Sequence, residues 1–202
     1  MAVQNDEHGR TMIEVILYLC ILIVLGATIT KTVTRIFDRY NVGRASQQII
    51  DLKKTILMYT AADEDYTKLS KSDLEETNSM PYDMQDFRHA LGGNIFVGPA
   101  SQFPSNNDDD PNNKYMFFIT FDRIDKASCI EILSQGQFYS TGSEMDTLNV
   151  NGKWWQYKYS LYTEYGSRPN PYKLLKQQRL TIPDAMEGCT DNTNNIITWI
   201  FS

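Results

Sequence analysis

The stretch that decides the reading runs from Gly9 to Thr30, GRTMIEVILYLCILIVLGATIT. From Val15 to Thr30 no residue carries a charge, and nearly all are apolar. Counted from Met12, the run is about 19 residues, or roughly 28 Å of α-helix at 1.5 Å per residue. That nearly matches the roughly 30 Å hydrocarbon thickness of a bilayer, so a membrane span is predicted. Glu14 interrupts it, a carboxylate inside the apolar end. An acidic residue at the centre of a span costs about 2.5–3.5 kcal/mol on insertion scales and less near an interface. Such a residue is by default functional, with a partner to be found.

The residues before the run argue against a secretory signal peptide. MAVQNDEHG is acidic rather than basic, and no A-x-A site follows the apolar stretch. A plain membrane anchor is the simpler alternative. It gives Glu14 no purpose, because a tether gains nothing from a buried carboxylate.

Working outward, the 202 residues hold one anchor and one domain of ordinary size. Tyr, Phe and Trp number 12, 9 and 3, which suits β-rich packing, and a net charge of -6 argues against a dedicated nucleic-acid surface. The charge is uneven. Between Lys31 and Ala62, Lys31, Arg35, Arg39, Arg44, Lys53 and Lys54 face only Asp38 and Asp51, while the stretch from Asp63 to Asp125 is acidic. That order suits head-to-tail association of identical copies, or simply two solvated faces.

The helix is predicted to continue past the apolar run to about Ala62. No proline intervenes, Gly43 is the one glycine there, and Val33, Ile36, Phe37, Tyr40, Ile49, Leu52, Ile56 and Tyr59 recur at helical spacing. Its second half is amphipathic and must cover something, for which a sheet built by the rest of the chain is the natural partner. Beyond it, a turn of helix is predicted at Ser72–Thr77 and a short helix from Met84 to Leu91, ended by Gly92-Gly93. Asn94 to Val97 is a brief apolar segment. KYMFFITF, Lys114 to Phe121, is the clearest strand, followed by a short helix over ASCIEILSQ capped by Asp125 or Ser128. Asn151-Gly152 predicts a type I′ hairpin between 148–150 and 153–162. Arg179 to Ile182 and Ile196 to Phe201 complete the strand candidates.

Cys20 lies in the apolar run and reads as a small apolar residue. Cys129 and Cys189 lie in the polar domain and should pair if that domain is exported. No C-x-x-C spacing or histidine companion favours a metal.

No catalytic constellation is visible. His8 precedes the apolar run, and His89 reads as a surface histidine rather than part of a Ser-His-Asp site. G-x-x-x-x-G-K-[ST], G-x-G-x-x-G and H-E-x-x-H are all absent, so neither an enzyme nor a cofactor is expected. Asp108, Asp109 and Asp110 read as a solvated turn, with Ca²⁺ as the alternative. The aromatics of 153–162 read as sheet packing, with an adhesive or carbohydrate-stacking surface as the alternative.

Gly9, four residues, Glu14 and an immediate apolar run resemble the type IV prepilin signature. That resemblance implies cleavage by a prepilin peptidase after Gly9, leaving Arg10 as the new, usually N-methylated, terminus with Glu14 at mature position five. A neighbour's Glu14 could then neutralise the Arg10 α-ammonium where water is scarce, since a buried pair is tolerable where a lone charge is not. Together, TMIEVILYLCILIVLG, NIFVGPA, YMFFITFDRIDKASCIEIL and GCTDNTNNIITWIF are most similar to type IVb pilins, which include bundle-forming and conjugative-plasmid pilins of Gram-negative bacteria. The chain departs from that pattern at Arg10, usually a hydrophobic residue, in a leader without lysines, and in a long 145–178 segment.

The resemblance implies an α+β type IV pilin fold, a long N-terminal helix packed on a mainly antiparallel sheet. It divides the chain into a leader (1–9), a helix (10–62, with 10–30 spanning the membrane and forming the filament core, and 31–62 amphipathic) and a head (63–202). It implies a structural subunit held by lipid in the inner membrane with its head periplasmic. An assembly platform then polymerises it into an extracellular filament of identical copies for adhesion, aggregation or conjugation. A minor pilin, a type II secretion pseudopilin and a membrane-tethered binding domain that stays monomeric are the alternatives.

Overall fold

The sheet is ordered so that its last strand lies near its centre. In the computed structural model, residues 6–63, 65–84, 86–102, 113–135, 145–156, 173–174 and 180–202 are described. The expected strand residues 157–162, the Asp108–Asp110 turn and most of the 145–178 segment lie outside them.

The helix α1 runs from Asp6 to Tyr59. It starts four residues ahead of Arg10 and ends three short of Ala62. At that end the Ile56 carbonyl accepts both the backbone N–H and the hydroxyl of Thr60, at 2.9 and 2.8 Å, and the chain turns. The protein divides into two units, Met1–Tyr40 and Asn41–Ser202. In the first, every described side chain from Met12 to Tyr40 is exposed in the isolated chain.

The second unit contains the rest of α1 and the sheet. Here α1 buries Val42, Ala45, Ile49, Leu52 and Ile56, a three-and-four spacing that puts one apolar stripe on one helix face. That stripe shares one core with the inward residues of the sheet. After α1 come α2 (Lys71–Glu76), β1 (Ile95–Pro99), β2 (Phe117–Ile124), α3 (Lys126–Ser134), β3 (Met145–Val150), β4 (Lys153–Gln156), β5 (Lys173–Leu174), α4 (Ile182–Gly188) and β6 (Asn195–Phe201). The sheet order is β1-β2-β6-β3-β4-β5, with every pairing antiparallel except β4 with β5. This is the expected α+β architecture of a long N-terminal helix and a mainly antiparallel sheet.

Alternation explains the two central strands. Phe117, Ile119 and Phe121 of β2 and Ile197, Trp199 and Phe201 of β6 point into the core, all at most 3% exposed. On the opposite face, the paired Thr120 and Thr198 join their hydroxyls at 2.8 Å. The β3–β4 turn has positive φ at both Asn151 (51°) and Gly152 (86°), the backbone a type I′ turn requires.

Two expected elements differ. Among the described residues of Met84–Leu91 no α-helix forms. A 3₁₀ turn at Tyr82–Met84 is followed by a tight reversal with Phe87 at φ 51°, in which Ile95 N–H donates to Phe87 O at 2.7 Å. Burying both Phe87 and His89 is what the reversal achieves and a straight helix would not. Ile182 begins α4 rather than ending a strand. Thr181 and Asp184 form a capping box, and Pro183 sits where a missing N–H costs nothing.

Candidate assembly site

The apolar half of α1 presents Glu14 in helical backbone, two residues after Met12 and just before the uncharged run. Its side chain is exposed, and among the described residues it makes no hydrogen bond or ion pair. The Gly9–Arg10 peptide lies in the same helix. Around Glu14, Ile13, Leu17 and Tyr18 are 59–70% exposed in the single chain. The helix is long and apolar enough to cross a membrane. So large an apolar surface needs lipid or other helices around it.

A feature missed in the sequence straddles the end of the span. Thr28, Thr30, Thr32 and Thr34 turn their hydroxyls back onto helix carbonyls. Thr28 Oγ1 donates to Leu25 O at 2.8 Å, with Val24 O at 3.1 Å, and Thr30 Oγ1 donates to Gly26 O at 2.8 Å. Thr32 and Thr34 bond the carbonyls of Thr28 and Thr30, each at 3.0 Å. Internally satisfied hydroxyls let these polar residues sit in apolar surroundings. The alternating pattern T-I-T-K-T-V-T was the available signal.

The head is tied together at two places. At one, α3 places Cys129 and the end of α4 places Cys189 so that the two are bonded, with Cα atoms 6.0 Å apart and both fully buried. Beside this bond, Asn151 Nδ2 donates to Gly188 O at 3.0 Å and to Asn195 Oδ1 at 2.8 Å. Asn195 Nδ2 in turn reaches Ile124 O at 2.9 Å and Asp191 O at 2.7 Å. The Asp191 carboxyl is held below its ordinary pKa by the N–H groups of Thr193 and Asn194 that it accepts. Cys20 is a free thiol on the apolar helix.

At the other, Gln48 of α1 is 2% exposed and clamps the segment after α2. Its Oε1 accepts Ala90 N–H at 2.8 Å, and its Nε2 donates to Asp83 Oδ2 at 3.0 Å. Arg44 Nε reaches the same carboxylate at 3.4 Å.

His89 is not on the surface. Only 3% exposed, it stacks on Phe121 with centroids 4.6 Å apart and planes 6° from parallel. Both ring nitrogens are engaged by backbone, which leaves no serine or aspartate side chain in a catalytic arrangement on the ring. Among the described residues no group of His, Cys, Asp or Glu is placed to hold a metal. Trp155 is buried in the core, while Trp154 is half-buried.

The protein is thus of the α+β class, built on one long helix whose apolar stretch from Met12 to Thr30 holds one carboxylate, Glu14, with a disulfide-closed sheet domain. No family model matches the chain. It is similar to the major structural subunit of bundle-forming pilus from Escherichia coli O127:H6 (strain E2348/69 / EPEC), at 23% identity over 196 residues, covering 94% of this chain and 92% of that one. The same subunit from Escherichia coli O111:H- is 22% identical with the same coverage. A solved structure of TcpA, a type IV pilin from Vibrio cholerae El Tor biotype, matches 81% of this chain and 99% of its own at 12% identity and a TM-score of 0.47.

Proposed function

We propose that this chain is a structural subunit of a type IV pilus, of the type IVb kind, polymerised through α1 into a filament of identical copies. The observation that carries this is the similarity to major pilus subunits along 94% of the chain, spanning apolar helix and head together. In this reading a prepilin peptidase cuts between Gly9 and Arg10. Lipid of the inner membrane holds α1, with the head on the periplasmic side, until an assembly platform moves the subunit into a surface filament. The protein is no enzyme and needs no cofactor.

Physical chemistry supports the assembly step. The exposed apolar residues of α1 are equally content in lipid or among copies of the same helix, so apolar burial alone gives assembly little direction. Polar pairing supplies it. Glu14 in an apolar setting seeks a cation, and the α-ammonium left at a neighbour's Arg10 is the matching charge. One such pair per contact fixes the axial stagger between subunits.

Copy number tests the reading. Filaments sheared from the native host and quantified by mass spectrometry should contain this chain as the dominant polypeptide. Filaments that lack it, with the chain confined to the membrane fraction, would leave it a tethered domain.

A further inference from the structure

We propose that His89 is an acid-released latch, fastening the Phe87–Asn94 turn to β2 and, through Gln48, to α1. The geometry selects one protonation state. His89 Nδ1 accepts the N–H of Leu91 at 3.3 Å, so Nδ1 carries no proton. His89 Nε2 lies 2.8 Å from the carbonyl oxygen of Asp122, which can only accept, so Nε2 carries the proton and donates. The neutral Nε2–H tautomer satisfies both contacts; the imidazolium would set Nδ1–H against Leu91 N–H, donor against donor.

The ring has little room to escape. It is closed on one face by Phe121, and a Cβ at Gly93 would run into Nε2 and Asp122 O. The turn is also tied to itself, His89 N–H to Gly93 O at 3.1 Å and Gly92 N–H to His89 O at 2.8 Å. The next residue, Ala90, donates to Gln48 Oε1, so movement of the ring is felt at α1.

Charges around the ring act in opposition to burial. Asp122 of β2 is the charged group that acts on it among the described residues, and both its carboxylate and its carbonyl favour the imidazolium. That carboxylate is committed to Asn94, whose N–H and Nδ2 both donate to it. From α1 the facing group is Gln48, which is uncharged, and Arg88 beside the ring in the chain is exposed. Burial prevails and holds the ring below its ordinary value of 6.5. The latch therefore stabilises fully above that value, where the unfolded chain is also neutral. Its contribution declines as pH falls below 6.5, because the unfolded state then takes up the proton first.

The test is made on the full chain in detergent micelles, with His8→Gln to isolate the ring. At about pH 7.5, ¹⁵N shifts should report the Nε2–H tautomer, and the ring should titrate with a midpoint below 6.5. Amide exchange at Ala90 and Leu91, corrected for the chemical rate, should rise several-fold between about pH 7.5 and pH 5. His89→Gln keeps an N–H donor where Nε2 lies and should remove that pH dependence. A wild-type midpoint at or above 6.5, no change in exchange, or an unchanged response in His89→Gln would overturn the latch. Should the variant fail to form the Cys129–Cys189 bond, the wild-type ring titration and the Leu91 amide decide alone.

Discussion

Cys129, in the middle of α3, is bonded to Cys189, the residue that ends α4, and the bond closes a 60-residue stretch containing β3 and β4. Both ends of that stretch adjoin central strands, since α3 follows β2 and α4 precedes β6. Cutting the bond therefore frees the connection that carries β3 to its place beside β6. Cys129→Ser or Cys189→Ser should lower head stability by about 2–5 kcal/mol. Denaturant unfolding followed by Trp fluorescence measures it; a loss well under 1 kcal/mol in both variants would mean the bond adds little.

Gly93 and Gly43 should respond oppositely to alanine. At Gly93 the new Cβ meets backbone at Asp122 O and the His89 ring, so Gly93→Ala should cost roughly 1–3 kcal/mol. At Gly43, exposed in the helix, nothing lies within 4 Å of a Cβ, and Gly43→Ala should stabilise by about 0.5–1 kcal/mol. Thermal unfolding of the two variants side by side reads both signs, and equal shifts would refute the contrast.

Gln48 is, with Ser46, a buried polar residue of α1, and its amide serves Ala90 and Asp83 at once. Gln48→Ala leaves these groups without it in a half-buried place and should cost about 1–3 kcal/mol. Hydrogen exchange should show the loss concentrated at Ala90. Unchanged protection there would assign the clamp to Arg44 and packing instead.

Much of this was legible because local and global signals agreed. The uninterrupted helical pattern from Met12 to Tyr59 and the aromatic and β-branched residues of β2 and β6 each had one consistent reading, and of the two caps offered for α3 the fold uses Asp125. The MQDFRHAL stretch misled because its helical spacing describes residues buried by a reversal, with Phe87 in a left-handed backbone that propensity does not foresee. His89 misled for the same reason, since its burial depends on Phe121 and Asp122, which lie more than thirty residues further along the chain. For α4 the signal was present in T-I-P-D, a capping box with proline at its second helical position, and an apolar run hid it. Strand order was beyond reach, because what sets β6 between β2 and β3 is long-range pairing. Of the candidate site, the two cysteines are brought together in the head, while Gly9, Arg10 and Glu14 share one helix.

Processing can be read directly. Mass spectrometry of the subunit from its native host should give a chain starting at Arg10, with or without an added methyl group. A filament subunit that keeps Met1 to Gly9 would contradict peptidase cleavage at this site.

Glu14 is where the assembly mechanism stands or fails, and filament yield per membrane-resident subunit measures it most directly. Glu14→Val removes the carboxylate while keeping an apolar helix, so insertion and head folding, checked by the Cys129–Cys189 bond, should persist. Glu14→Asp should retain part of the yield. With processing shown to be normal, Glu14→Val is expected to enter filaments poorly beside wild-type subunits. A wild-type yield from Glu14→Val would contradict the pairing mechanism and leave Glu14 as a determinant of cleavage alone.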